Sequence, residues 1–156
     1  PTNLYGPGDY YHPEKSHVIP ALISKFDSAA KNSLEKVVCW GSGSPLREFL
    51  YVDDLADACK FVLENWKPPK EDIKYLNVGT GNDMKIKKIA EVISEKCGFK
   101  GEIIWDSSKP DGTPKKQLDI SKIIRLGWQP KTSFDEGLNL TIKNYRYLKN
   151  KNILRK

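Results

Sequence analysis

Long apolar runs are missing from this 156-residue chain. Nothing in it approaches the roughly 18 consecutive apolar positions of a membrane span, and no basic-then-apolar opening reads as a secretory signal, so a membrane partner is excluded and a cytoplasmic setting is expected. Cysteine is scarce as well. Cys39, Cys59 and Cys97 are odd in number, far apart and set among apolar residues, which argues against a disulfide framework or zinc site and predicts three reduced, largely buried thiols. Histidine occurs twice, and Asp53-Asp54 has no carboxylate or histidine cluster near it in sequence. That pair therefore reads as a helix cap rather than a metal site. What is present is a hydrophobic share of 38%, enough for one ordinary domain. The net charge of +6 lies wholly in the last sixteen residues, in Lys143, Arg146, Lys149, Lys151, Arg155 and Lys156. A balanced body with a basic, solvated end lacks the basic stripe of a nucleic-acid binder, so no nucleic-acid partner is expected.

The chain opens Pro1-Thr2-Asn3-Leu4-Tyr5-Gly6-Pro7, which reads as the end of an apolar strand entering a turn, and a chain opening there is expected to lack an upstream segment. Asp9 to Ser16 is a polar loop. Val18 to Ala30 follows as a helix with Val18, Ala21, Leu22 and Phe26 on its apolar face and Pro20 in its first turn. Residues 37–40 and 48–52 are short strands, separated by Gly41-Ser42-Gly43. A helix capped by Asp53-Asp54 ends before Pro68-Pro69, and Lys67 to Asp72 is a short bend. Tyr75 to Val78 reads as a strand into Gly79-Thr80-Gly81, followed by a helix over 86–97 closed by Gly98. A strand at 102–105, a loop from Asp106 to Lys116, a short helix near 120–126 and a last helix from Phe134 to Leu148 complete the series. Strands alternating with helices give an α/β class.

Four loops follow these strands: Tyr5-Gly-Pro-Gly, Gly41-Ser-Gly, Gly79-Thr-Gly and Lys109-Pro-Asp-Gly-Thr-Pro. In open α/β folds ligands sit beyond the carboxyl ends of strands, which makes the loops candidate walls of a site. None is a phosphate cradle by pattern, and each also reads as a plain tight turn. Tyr-x-x-x-Lys, the phenol and ammonium pair of short-chain reductases, occurs at Tyr11/Lys15 and Tyr145/Lys149. Pro13 interrupts the first and the second falls on an apolar helical stripe, so both read as packing. His17, at a helix start, is either a general acid or a satisfied polar contact. Lys25, Arg47, Lys109, Lys115 and Lys116 lie nearest the loops with the flat face of Trp40 beside them. Such a set suits a nucleoside diphosphate, though a charged rim looks similar.

Taken together, Pro1-Thr-Asn-Leu-Tyr-Gly-Pro7, Ser16-His-Val-Ile-Pro-Ala-Leu22, Trp40-Gly-Ser-Gly43, Arg47-Glu-Phe-Leu-Tyr-Val-Asp-Asp54, Asn77-Val-Gly-Thr-Gly81 and Ser108-Lys-Pro-Asp-Gly-Thr-Pro114 resemble the second half of the GDP-L-fucose synthases. These are epimerase-reductases of the extended short-chain dehydrogenase/reductase superfamily. The resemblance runs from residue 1 to about 148, leaving 149–156 as a basic tail. The first and fourth motifs are shared widely among nucleotide-sugar enzymes, whereas the second and the last are particular to this family.

The resemblance implies the substrate-binding subdomain of a Rossmann-type, NADP(H)-dependent enzyme with the last strands and helices of the Rossmann sheet. The whole enzyme would act on a GDP-sugar and be a homodimer. Pro1, Thr2, Asn3 and Leu4 would border the nicotinamide. His17 would lie beside them and return a proton to the sugar during epimerisation. Lys25, Trp40, Arg47 and Asp111 would contact the GDP-sugar, with Lys116 close to it. Lys25 stands where the family more usually has Arg, keeping the charge but losing the bidentate fork. The glycine-rich cofactor loop, the reactive Tyr-x-x-x-Lys and the epimerisation base of the family have no counterpart here, so the chain alone is expected to be inactive. Other readings remain: a non-catalytic nucleotide-sugar module, or a GDP-mannose 4,6-dehydratase or UDP-sugar epimerase sharing only the common motifs. Exposed apolar surface is expected near residues 1–10 and 50–80.

Overall fold

The computed structural model describes residues 1–13, 15–68 and 75–155. β1 (Asn3–Tyr5) leads through the polar loop into α1 (Val18–Lys31), then β2 (Lys36–Trp40), β3 (Leu46–Tyr51) and α2 (Val52–Asn65). The second part holds β4 (Asp83–Lys85), α3 (Ile86–Cys97), β5 (Glu102–Asp106), β6 (Lys115–Lys116), α4 (Ser121–Arg125) and α5 (Phe134–Asn150). β3 is the hub of one sheet. β1 runs parallel to its end, Asn3 opposite Phe49 and Tyr5 opposite Tyr51, while β4 pairs antiparallel and β6 parallel to its beginning. β2 and β5 form a separate parallel pair from Lys36/Glu102 to Trp40/Asp106.

The main core lies between α1, α3 and α5. Ile19, Ile23 and Phe26 of α1 are buried with Ile89, Ala90 and Ile93 of α3 and with Leu138 and Tyr145 of α5. Each large side chain so buried contributes about 1.5–3 kcal/mol. A second cluster joins Leu50, Ala58, Ile123 and Trp128. α1 is apolar on two faces, which explains a difference from its sequence pattern. Ile19, Ile23 and Phe26 enter the core, whereas Val18 is 38% exposed and Ala21 half-buried, both turned to a groove beside β2.

Most elements fall where the pattern puts them, β4 and β6 have no counterpart in it, and four further points differ. The N-cap of α2 is Tyr51, without a side-chain cap. Asp53 and Asp54 sit in the first turn, where they favour the positive end of the helix dipole, and the buried Asp54 instead accepts from the Thr132 N–H (3.0 Å) and hydroxyl (3.1 Å). Residues 75–78 belong to no strand, and a backbone bond from Thr2 N–H to the Val78 carbonyl at 2.9 Å ties them to the chain's start. Cys59 is exposed on α2, unlike the buried Cys39 and Cys97, because its helix packs through Asp54 and Ala58. The basic end is only partly free in solvent, with Lys143 and Lys151 exposed. Arg146 Nε (2.8 Å) and Lys149 Nζ (3.1 Å) hold the buried Asp27, and Arg155 donates to the Gly8 carbonyl at 3.3 Å while lying over the Tyr10 ring.

The Lys67–Asp72 bend falls mostly outside the described residues, as does Lys156. In the region named for exposed apolar surface, Leu63 is 86% exposed, and Tyr75 is exposed as well. Among the described residues no helix is long and apolar enough to cross a membrane.

Candidate functional site

A groove of about 650 Å³ separates α1 from β2. Val18, Ala21, Leu22 and Lys25 line the helical side, and Val38 and Trp40 the strand side. The edge of β2 not paired with β5 is what leaves this side open. Lys25 crosses the groove, its ammonium donating to the Val38 carbonyl at 2.7 Å. Trp40, last in β2, is 65% exposed, and Lys109 Nζ lies 5.8 Å over its ring. His17 is the N-cap residue of α1, exposed, with no side-chain bond to the helix; it does not itself line the groove, though Ser16 and Val18 beside it do. Its imidazole is therefore not spent on capping.

The loop after Trp40 continues the site. Asp111 grips it, its carboxylate accepting from the Ser42 N–H (2.9 Å) and hydroxyl (2.6 Å). The Ser42 hydroxyl and then its N–H hold the Asp111 carboxyl below the usual carboxylate range. Arg47, half-buried, donates from Nη1 to the Leu46 carbonyl at 2.7 Å, and its guanidinium packs against Gly112, where a Cβ would stand 2.9 Å from Nη2. Lys116 is opposite Arg47 in the β3–β6 register, and Lys115 pairs with Asp83 at 3.3 Å. Thus Lys25 and Trp40 share the groove, and Asp111, Arg47 and Lys116 share the adjoining loop and sheet end.

Pro1, Thr2, Asn3 and Leu4 lie farther along β3. The Thr2 hydroxyl (3.1 Å) and Asn3 amide (2.9 Å) both donate to the Glu48 main-chain carbonyl, so these two side chains are occupied in fixing β1. The two Tyr-x-x-x-Lys pairs are packing. Tyr11 and Tyr145 are both buried with ring centroids 4.8 Å apart, and Lys149 serves Asp27.

Sequence reasoning overlooked Glu48. Its side chain is fully buried, yet among the described residues it forms no ion pair. Oε1 accepts from the Thr80 N–H (2.6 Å) and Gly81 N–H (2.8 Å), and Oε2 from the Leu118 N–H (2.8 Å). A Cβ on Gly79 would overlap Oε1, which is the close approach that glycine permits. The available signal was an acid inside the apolar run Glu48-Phe-Leu-Tyr-Val52, since a charge there needs partners.

Comparison with known proteins places this arrangement. The NAD dependent epimerase/dehydratase family matches residues 1–79, which take in β1, α1, β2, β3 and α2. The chain belongs to that family. Within it, the chain is 52% identical over 145 residues to putative GDP-L-fucose synthase 2 of Arabidopsis thaliana, covering 93% of this chain and 43% of that protein. It is 47% identical over 149 residues to GDP-L-fucose synthase of Escherichia coli K12, covering 90% and 46%. A crystal structure of a GDP-L-fucose synthetase from Naegleria fowleri bound to NADP superposes with a TM-score of 0.83 at 32% identity, over 99% of this chain and 47% of that one. This epimerase/dehydratase chain spans about half the length of the relatives it matches.

Proposed function

We propose that the chain supplies the GDP-sugar-binding half of a GDP-L-fucose synthase, an enzyme converting GDP-4-keto-6-deoxy-D-mannose to GDP-L-fucose by 3,5-epimerisation and NADPH-dependent 4-keto reduction. The observation that carries this reading is the groove itself, lined by Lys25 and by an exposed indole beneath Lys109, with Arg47 and Lys116 paired across β3 and β6. Trp40 offers a flat apolar face to a base or sugar, and the cations offset a diphosphate. Arg47 keeps its planar fork near Gly112. Lys25, already bound to Val38, meets a phosphate only as a point charge. Asp111 fixes the Gly41–Gly43 loop around the sugar end.

His17 is the proton donor in this scheme. Its exposed imidazole, flanked by the groove-lining Ser16 and Val18, returns a proton to the sugar carbon during epimerisation. The cofactor, when bound, supplies the hydride for the 4-keto carbon. Exposed Pro1 and half-buried Leu4 fit the border of a flat ring, and none of residues 1–4 has a cationic side chain that would hold its phosphates. Among the catalytic groups the family resemblance implies, the 156 residues hold His17 alone. Binding without turnover is therefore the expected behaviour of this chain, and the whole enzyme is proposed to act as a homodimer.

A thermal-shift panel tests the reading. At ten times its dissociation constant, GDP-mannose should add about 1.4 kcal/mol, or about 4 °C at this chain length. UDP-glucose at the same concentration should add less than about 1 °C. Greater stabilisation by UDP-sugars would point to a UDP-sugar epimerase instead, and steady NADPH oxidation by the isolated chain with the 4-keto sugar would contradict the division of labour.

A further inference from the structure

We propose that Glu48 is a positioning residue that sets the diphosphate-facing cations of the site in register, an inference that rests on the GDP-sugar reading above. A carboxylate buried without a cation is unfavourable unless several donors converge on it, and four do: the N–H groups of Thr80, Gly81 and Leu118, with the Thr80 hydroxyl farther away at 3.4 Å. An apolar residue there would leave the Thr80, Gly81 and Leu118 N–H groups without their acceptor, so the acceptor itself is what the site uses.

The geometry indicates the use. β6 is two residues long, too short to hold its own register by strand pairing alone. It is carried past that limit by Gln117, whose amide donates to the Gly81 carbonyl, and by the Leu118 N–H on Glu48 Oε2. Both bonds converge on the turn that Glu48 Oε1 gathers. Lys116 is thereby locked opposite Arg47, the residue immediately before Glu48. The Glu48 main-chain carbonyl meanwhile takes the Thr2 and Asn3 side chains of β1. One residue thus connects the strand bordering the cofactor to the strand end bearing the cations. Glu48 itself touches no ligand and acts only through its neighbours.

The test uses the 156-residue chain with GDP and with guanosine as probes, followed by ligand-observed NMR, in wild type, Glu48→Gln and Glu48→Asp. Glu48→Gln swaps an acceptor for an amide that faces N–H donors. It should weaken GDP roughly tenfold, leave guanosine within twofold, and speed amide exchange at Lys116, Leu118, Thr80 and Gly81. Ile123→Val, a core change in the second cluster, serves as a destabilised control and should alter neither ligand. Equal losses for GDP and guanosine, or a GDP affinity within twofold of wild type, would overturn the proposal. If Glu48→Gln does not fold, Glu48→Asp carries the same criteria. Should wild type bind no GDP, the functional reading fails on its own. Amide exchange then decides positioning: faster exchange at Lys116 and Leu118 in the variant upholds the register role, and unchanged exchange removes it.

Discussion

Individual side chains here separate into those spent on structure and those left for a ligand. Asp27 is spent. Burial pushes its carboxyl up, but the Arg146 and Lys149 hydrogen bonds outweigh that and hold it below its ordinary 3.8. A carboxyl depressed on folding contributes stability that is complete above the unfolded value and lost as pH falls through the folded one. Urea midpoints should therefore drop below about pH 4, and Asp27→Asn should flatten that acid limb. The substitution should also cost about 2 kcal/mol at neutral pH, toward the low side because both cations keep partial access to water. The thiols divide similarly. Burial pushes Cys97 up to about 12 and raises Cys39, while Cys59 is exposed. In the native protein an alkylating reagent should modify Cys59 alone, as read by mass spectrometry, and the other two should react only after denaturation. Fast labelling of Cys39 would contradict its burial. Trp40 is exposed, and on the GDP-sugar reading Trp40→Ala should weaken GDP about tenfold without lowering stability.

Elements were legible in the sequence where periodicity and punctuation agree. α3 shows this best: its stripe of Ile86, Ile89, Ala90 and Ile93 ends at Gly98, which adopts φ 80° and caps the helix. Nothing stands within 4 Å of a Cβ placed there, so Gly98→Ala tests backbone conformation alone. About 1 kcal/mol of destabilisation is expected by chemical denaturation. Legibility failed where tertiary partners decide. Asp54 looked like a cap because a carboxylate at a helix start usually is one, yet Thr132, 78 residues away, claims it. β4 and β6, with three and two residues, exist because β3 offers them backbone partners, and no local pattern announces so short a strand. α1 was harder still, since a helix with one face in the core and another on a groove has two apolar stripes. Periodicity reports both without saying which is which.

At the scale of the whole molecule, the candidate site was legible chiefly through linked motifs. Lys25 and Trp40 meet in one groove, and Asp111 joins the loop after Trp40 although 69 residues separate it from Ser42. Glu48 escaped notice because its importance lies in what it gathers from 32 to 70 residues away. The basic end departs from its reading only in part, for the same reason: Arg146 and Lys149, two of its six cations, neutralise a buried acid from α1, while Lys143 and Lys151 are exposed. The charge that the GDP-sugar reading assigns to the ligand is instead the small set around Trp40 and Arg47.

The central claim is that this set recognises a guanosine diphosphate sugar in the groove between α1 and β2. Titration of the ¹⁵N-labelled chain with GDP-mannose, watching the Trp40 indole N–H and the amides of residues 17–25 and 38–47, tests it most directly. Saturable shifts confined to those residues, at least tenfold weaker with UDP-glucose, are the predicted result. Shifts that map elsewhere, or equal responses to the two nucleotides, would contradict it.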